Sequence, residues 1–169
     1  MKAMALYRLG TLEPGRDALE RIERAMPTPG EDEILLRVSA CGVCHTELDI
    51  IEGRTPPPRL PMIPGHQIVG QVVAVGPLAQ GHAVGDRVGV AWIHSACGEC
   101  EPCRTGRENL CARFVATGRD VDGGYAEYTV VPAAFAHPIA AALTDSQAAP
   151  LLCAGAVGFR ALEQVGLHD

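Results

Sequence analysis

Aromatic residues are scarce in this sequence. Phe, Trp and Tyr together make up 4% of the 169 residues, and there is a single Trp. Hydrophobic residues nevertheless reach 47%, which is typical of a globular protein and argues against an intrinsically disordered one. A core of this composition must be built mainly from Val, Leu, Ile and Ala, and the length suits one domain of ordinary size.

Three other features that the chain lacks argue against whole classes of protein. No apolar run approaches the roughly 18 residues of a membrane-spanning helix, and residues 1–10 lack the apolar region of a secretory signal. Basic residues do not predominate, because 14 Lys and Arg stand against 20 Asp and Glu, for a net charge of −6. A surface for nucleic acid or anionic membrane would need clustered Lys and Arg. We therefore expect a cytoplasmic protein without a nucleic-acid or membrane partner.

Cysteine, in contrast, is well represented. The chain has seven Cys, an odd number in a sequence without an export signal. Cytoplasmic thiols stay reduced, so a metal site is favoured over disulfides. Four of the cysteines fall within fifteen residues in the pattern C-x2-C-x2-C-x7-C: Cys97, Cys100, Cys103 and Cys111. Four thiolates can close a structural tetrahedral shell around one zinc ion, at about 2.3 Å per Zn–S bond; free buried thiols and an iron–sulfur cluster are the alternatives.

A second set of candidate ligands lies outside this cluster. It consists of Cys44, His66 and Cys153. Any one of them alone would more often be a structural residue. Two Cys and one His around zinc, however, leave a fourth position for water or substrate, and this is a catalytic arrangement. The chain is thus a candidate for one closed and one open metal site.

The remaining sequence predicts a mainly β fold. Aliphatic and β-branched runs bordered by Gly or Pro predict four strands, at 33–40, 67–75, 86–91 and 125–131. Glycines recur every four to six residues between 65 and 89, a spacing suited to turns and bulges in a barrel. Residues 53–64 hold five prolines and predict an extended loop. A late apolar helix is expected over 151–165, with Thr144, Asp145 and Ser146 as N-cap candidates.

Several segments together resemble one enzyme family. Residues 41–48 (CGVCHTEL), 64–76 (PGHQIVGQVVAVG) and 149–155 (APLLCAG) resemble the zinc-dependent alcohol dehydrogenases of the medium-chain dehydrogenase/reductase superfamily. The four-cysteine segment, Gly85–Val88 and Gly123–Tyr128 also resemble family segments, in the same order. The resemblance runs from about Lys2 to Gly166. It implies a GroES-like β-barrel catalytic domain over 1–150, with a structural zinc lobe at about 95–113 and a connecting helix over 151–169.

The resemblance also implies roles for single residues. Cys44, His66 and Cys153 would hold a catalytic zinc, and the four clustered cysteines a structural zinc, so that two zinc ions bind per chain. The implied reaction oxidises a small alcohol to an aldehyde or ketone and transfers hydride to NAD(P). His45 falls where the family often contacts the pyrophosphate of the cofactor.

Thr46 and Glu47, which follow Cys44 in the sequence, each have an implied role and an ordinary alternative. Thr46 occupies the family's hydroxyl position and could relay the alcohol proton to solvent, or it could satisfy backbone N–H groups at a helix start. Glu47 matches a carboxylate that orients the zinc-bound histidine, or it could be a solvated surface residue.

Three residues depart from the family pattern. Gln67 follows His66 where the family usually has Glu, so this region is one negative charge poorer. Asp49 stands where some relatives carry a His that completes the proton relay. Cys41 is an extra thiol near Cys44, either a small core residue or a spare ligand.

Length is a further departure, because family members are roughly twice as long and continue into a Rossmann domain. The sequence contains no strand, Gly-rich turn and helix unit that could hold a dinucleotide pyrophosphate, and we expect that domain to be absent. The 169 residues alone are therefore expected to bind zinc without turning over alcohol, and to self-associate through exposed apolar surface. A non-catalytic zinc-binding GroES-like interaction module, a polyol or amino-alcohol dehydrogenase domain, and a zinc hydrolase remain as alternatives.

Overall fold

A five-stranded antiparallel sheet dominates the fold in the computed structural model, which describes residues 1–167 of the chain. Its members are β3 (Glu33–Cys41), β4 (Ile68–Val75), β5 (Arg87–Val90), β8 (Tyr128–Pro132) and β9 (Ala136–Pro138). Their spatial order is β8-β3-β4-β5-β9. The four strands predicted from the sequence are confirmed within a few residues. The register of β3 against β4 shifts at Leu35/Leu36 and again at Val38/Ala40, and such bulges bend a sheet. The mainly β fold class is confirmed.

Two short ribbons flank the sheet. β1 (Lys2–Ala5) pairs with β2 (Glu20–Glu23), and β6 (Ile93–Ser95) pairs with β7 (Val115–Ala116). The second ribbon closes the base of the loop that carries the four clustered cysteines. That loop contains helix α2 (Glu101–Arg104) and a 3-10 turn at Glu108–Leu110.

The main core lies on one face of the sheet and is aliphatic, as the composition required. Its fully buried members include Ile34, Leu36, Ile68, Val72 and Val131. Side chains alternate between the two faces of a strand, so Ile34 and Leu36 on β3 meet Ile68 and Val72 on β4. A smaller cluster around Leu6, Ile50 and Met62 seats helix α1 (Thr46–Ile51) beside the sheet.

The late helical region begins earlier than predicted and has three parts. Helix α3 (Asp145–Pro150) starts at Thr144, which forms a capping box with Gln147. A π-helical turn (Leu151–Gly155) follows, and then α4 (Ala156–Gln164). The predicted helix over 151–165 is therefore a continuation of α3. Pro150, which was expected to precede the first helix of this region, is instead the last residue of α3. The domain division at residue 150 stays a prediction, and the last two residues of the range 151–169 lie outside the described residues.

Glycine is required where the loops around His66 cross. A Cβ at Gly123 would lie 2.1 Å from the carbonyl oxygen of Gly65, and Gly65 itself has φ near +100°. Only glycine allows such close backbone approach at low cost. The two glycines thus let residues 123–125 bond to the turn that precedes His66, through Gly124 N–H to Gly65 O at 2.8 Å.

None of the helices in residues 1–167 is long and apolar enough to cross a membrane.

Candidate metal centres

The four clustered cysteines converge as the sequence predicts. Cys97 follows β6, Cys100 is the N-cap residue of α2, Cys103 lies within α2, and Cys111 follows the 3-10 turn. Their four sulfur atoms all lie within 4.8 Å of one another. We call this set the four-thiol centre.

Sulfur spacing at the four-thiol centre fits a tetrahedral metal. Zn–S bonds of about 2.3 Å put tetrahedral sulfurs about 3.8 Å apart, and the Cys97–Cys103 pair is 3.8 Å apart. The Cys100–Cys103 pair is 3.4 Å apart. Two backbone N–H groups, of Cys100 and Arg113, donate to the sulfurs of Cys97 and Cys111 at 3.4 Å each. These donors suit anionic thiolates, which accept hydrogen bonds better than thiols do.

Charge is unevenly divided among the four sulfurs. Backbone N–H groups of Glu99 and Cys100 lower the pKa of Cys97 to about 5. Burial, together with the neighbouring thiols, raises the pKa of Cys103 to about 12. One sulfur is thus anionic at neutral pH while another retains its proton. A cation placed between them removes this conflict, because metal binding displaces thiol protons.

The second set of candidate ligands also converges, although its members come from distant segments. Cys44 lies between β3 and α1, His66 precedes β4, and Cys153 lies in the π-helical turn. The ligand atoms of the three residues all lie within 4.8 Å of one another, and the Cys44 and Cys153 sulfurs are 3.8 Å apart. π-helical turns are frequent at functional sites, and this one presents Cys153 to the other two residues. We call this set the three-ligand centre.

His66 is held with one nitrogen ready for a ligand. The side chain is completely buried, and its Nδ1 lies 2.5 Å from Oε1 of Glu47, which is 1% exposed. A carboxylate oxygen can only accept, so the proton of the neutral ring is assigned to Nδ1 and the lone pair to Nε2. Nε2 is buried and has no hydrogen-bond partner among the described residues. A buried imidazole nitrogen without a partner, beside two thiols, fits the donor set that zinc prefers.

Glu47 is therefore not a solvated surface carboxylate. Its contact with His66 is the geometry that orients a metal-bound histidine and fixes its tautomer. That the contact serves a bound zinc stays a prediction.

The two sulfurs of the three-ligand centre share charge unequally. Burial acts to raise the pKa of Cys44, but the backbone N–H and hydroxyl of Thr46 and the backbone N–H of His45 outweigh it, so this pKa lies below its ordinary value. Burial and then the negative charge of Cys44 raise the pKa of Cys153 to about 11. Cys44 therefore loses its proton more easily than Cys153 does, as expected for two thiols in contact. A divalent cation bound between them would displace thiol protons.

Thr46 and His45 lie on either side of the start of α1. The Thr46 hydroxyl oxygen is 3.7 Å from the Cys44 sulfur, and the residue lines the adjacent cleft. The N-cap residue of α1 is His45, which makes no capping hydrogen bond through its side chain. The His45 ring is 74% exposed, with Nδ1 3.4 Å from a carboxylate oxygen of Asp49, which also pairs with Arg54. The relay role of Thr46 and the cofactor role of His45 stay predictions.

The structure buries Gln67 and leaves Cys41 outside both ligand sets. Gln67 is 2% exposed, next to His66, and hydrogen bonding from its side chain acts to lower the pKa of Cys153. Cys41 belongs to neither candidate ligand set. It packs against the main core, and burial raises its pKa to about 12. An inert, protonated thiol agrees with the core interpretation of Cys41.

A cleft of about 920 Å³ opens beside the three-ligand centre. Its walls include Thr46, His66, Trp92, Phe135, Leu152 and Cys153. Sequence reasoning did not identify Trp92 as part of this site. The available signal was that it is the only tryptophan and stands five residues before Cys97.

Comparison with known proteins gives one consistent result. Residues 30–141 match the model of the family described as alcohol dehydrogenase GroES-like domain. A probable alcohol dehydrogenase AdhA of Mycobacterium tuberculosis is 49% identical over 168 residues, which cover 96% of this chain and 48% of that protein. An alcohol dehydrogenase of Geobacillus stearothermophilus is 47% identical, with 89% of this chain and 45% of that protein covered. The chain spans about half the length of the curated relatives it matches.

Solved structures of alcohol dehydrogenases also superpose on this chain. A cinnamyl alcohol dehydrogenase of Sorghum bicolor superposes with a TM-score of 0.86 at 30% identity, covering 99% of this chain and 48% of that one. A cobalt- and zinc-bound thermostable alcohol dehydrogenase of Pyrobaculum aerophilum gives a TM-score of 0.79 at 33% identity, covering 89% and 44%.

Proposed function

This chain belongs to the alcohol dehydrogenase GroES-like domain family, and we propose that it supplies the zinc-binding catalytic domain of an NAD(P)-dependent alcohol dehydrogenase. The observation that carries the proposal is the three-ligand centre. There, two sulfurs meet a buried imidazole nitrogen that has no partner within residues 1–167, at the edge of a large cleft. A purely structural site needs four protein ligands, whereas an open site needs three.

Zinc and NAD(P) both have a role in this proposal. Zinc bound by Cys44, His66 and Cys153 would act as a Lewis acid on the oxygen of an alcohol or carbonyl. NAD(P) would accept the hydride from the carbinol carbon. A second zinc at the four-thiol centre would tie down a loop that has few buried apolar side chains of its own.

The chain's own residues supply binding, orientation and proton transfer. Glu47 fixes the ring of His66 so that Nε2 is presented. The Thr46 hydroxyl, beside Cys44 and lining the cleft, is placed to take the proton of an alcohol and pass it toward solvent. Gln67 keeps an uncharged amide where a carboxylate would add negative charge. The exposed His45 is available to a cofactor phosphate.

Residues 1–169 by themselves are proposed to bind zinc without oxidising alcohols. The sequence has no strand, Gly-rich turn and helix unit to hold a dinucleotide pyrophosphate. Exposed apolar side chains on and after α4, including Val157, Phe159 and Val165 at 65–70% exposure, support self-association as a further proposal. Light scattering over a concentration series tests it.

Metal content of mutants tests the main proposal. Zinc per chain, measured by elemental analysis against amino-acid quantitation, should be close to two for the parent protein, one for each ligand set. Cys44→Ser and Cys100→Ser should each lose about one equivalent, since each removes a ligand from a different centre.

Cys41→Ser is the matched control, because Cys41 belongs to neither set. It should retain the parent ratio. A ratio that Cys44→Ser leaves unchanged would show that the three-ligand centre holds no zinc and would overturn the proposal.

A further inference from the structure

The single tryptophan forms a wall of the cleft directly against a ligand of the three-ligand centre. The rings of Trp92 and His66 meet edge to face, with centroids 5.0 Å apart and planes inclined by 76°. Trp92 lies between β5 and β6, and its carbonyl accepts the N–H of Thr117 at 2.9 Å. This hydrogen bond holds the backbone of Trp92. The residue is half-buried, so the position of its ring depends on the side chains that contact it.

One neighbour of Trp92 is the guanidinium group of Arg119. The Cζ atom of Arg119 lies 5.5 Å from the centroid of the Trp92 ring and 5.7 Å from that of Phe114. Both distances fall within the range of cation–π attraction. Arg119 does not line the cleft, so it can influence the site only through the ring that it contacts.

Asp120 holds this guanidinium in place. Arg119 donates from Nε to Oδ1 at 2.8 Å and from a terminal nitrogen to Oδ2 at 2.7 Å. Oδ2 also accepts the N–H of Ala116, on β7, at 2.8 Å. A two-point pair of this kind fixes the plane of the guanidinium. The rings of Trp92 and Phe114 thus lie near a guanidinium whose orientation is fixed.

We propose that Arg119 is a positioning residue, clamped by Asp120, which keeps the Trp92 ring against His66 and so sets the shape of the cleft wall at the three-ligand centre. The inference rests on the proposed function only for its consequence, the fit of an alcohol. The contact itself is a property of these side chains.

Intrinsic fluorescence tests this directly, because Trp92 is the only tryptophan. Acrylamide quenching and the near-ultraviolet circular dichroism of the indole would be compared between the parent protein and Arg119→Met. Loss of a cation–π contact at this exposure shifts the ring equilibrium by about two- to five-fold toward rotamers away from His66. The acrylamide-accessible fraction should rise, and the dichroism band should weaken accordingly.

Conservative and remote substitutions separate positioning from general destabilisation. Arg119→Lys keeps the charge and should recover part of the parent signal. Asp120→Asn leaves the guanidinium but loosens the clamp, and it should reproduce the change in a weaker form. Arg16→Met, on an exposed pair with Glu13, should leave Trp92 unaffected.

Two outcomes would overturn the inference. One is a Trp92 signal in Arg119→Met and Asp120→Asn that is indistinguishable from that in Arg16→Met. The other is a signal that changes only in proportion to the loss of folded protein, followed by far-ultraviolet dichroism in the same samples.

Cobalt(II) substitution tests the proposed function separately from the role of Arg119. Absence of a thiolate-to-cobalt absorption band that depends on Cys44 would contradict the three-ligand metal centre, while the fluorescence comparison would still decide the role of Arg119.

Discussion

The contact between Glu47 and His66 should control the affinity of the three-ligand centre for zinc. Glu47 and His66 are 1% and 0% exposed, and the Nδ1–Oε1 distance is 2.5 Å. In Glu47→Ala the imidazole loses the acceptor that fixes its tautomer and ring orientation. Loss of such a partner weakens metal binding by about 10- to 100-fold, which corresponds to about 1.4 to 2.7 kcal/mol. Because the contact is fully desolvated, we expect Glu47→Ala near the upper limit.

Glu47→Gln should weaken zinc binding less than Glu47→Ala does. Its amide oxygen can still accept from Nδ1–H, but without the negative charge, so the loss should be near tenfold, the lower limit. The assay is competition with a chromophoric chelator for each of the two proposed zinc equivalents. The equivalent bound at the four-thiol centre is an internal control, since Cys97, Cys100, Cys103 and Cys111 make no contact with Glu47 in the hydrogen-bond network of residues 1–167.

Glu163→Gln is the matched surface control, because Glu163 is exposed on α4. It should bind both zinc equivalents as the parent does. A Glu47→Ala protein that folds and binds its weaker zinc within about twofold of the parent, well below the range for a lost partner, would refute the reasoning.

Two further predictions concern stability. Gly123→Ala places a Cβ 2.1 Å from a backbone carbonyl oxygen and should destabilise the fold by about 3 kcal/mol or more. Gly158→Ala, in α4 with nothing within 4 Å of the new Cβ, should stabilise it by up to about 1 kcal/mol. Denaturant unfolding of both proteins checks this, and equal midpoints would contradict it. Hydrogen bonds from Ser39 and Arg87 lower the pKa of Asp145, so its folded-state stabilisation is present above the unfolded pKa of about 4 and is lost as pH falls through the lower folded pKa. Asp145→Asn should therefore melt below the parent at neutral pH and converge with it in strong acid, and a gap independent of pH would be the contrary result.

Strong local signals account for what the sequence predicted. The runs that became β3, β4, β5 and β8 are aliphatic and bordered by Gly or Pro, and each formed a strand within a few residues of its predicted position. The four-thiol centre was readable because its ligands are close in the chain. The three-ligand set came from matching separate segments to one family, and the structure brings its members together.

Features that depend on contacts between distant segments could not be predicted. β1 and β2 are four residues each, too short to give a periodic pattern. The π-helical turn around Cys153 arises inside an apolar run whose sequence is equally compatible with an ordinary α-helix. Pro150 misled the placement of the helix start, because the helical region already begins at Asp145 and runs through Pro150 into the π-helical turn.

The contact of Arg119 with Trp92 illustrates the same limit. The two residues are brought together when β6 pairs with β7 and closes the cysteine loop. Nothing in the local sequence of either residue encodes that meeting. Its identification required the folded arrangement of both strands.

The two candidate metal centres differ in how much chain must be organised before they exist. The four-thiol centre is complete within fifteen residues, whereas Cys44 and Cys153 are 109 residues apart. Closing the longer segment costs about 2 kcal/mol more in chain entropy. On a ribosome, the first centre could bind zinc, as proposed, as soon as its own loop emerges. The second could not form until the π-helical turn at Leu151–Gly155 docks near Val69 on β4, so zinc bound there would report that these distant segments have come together.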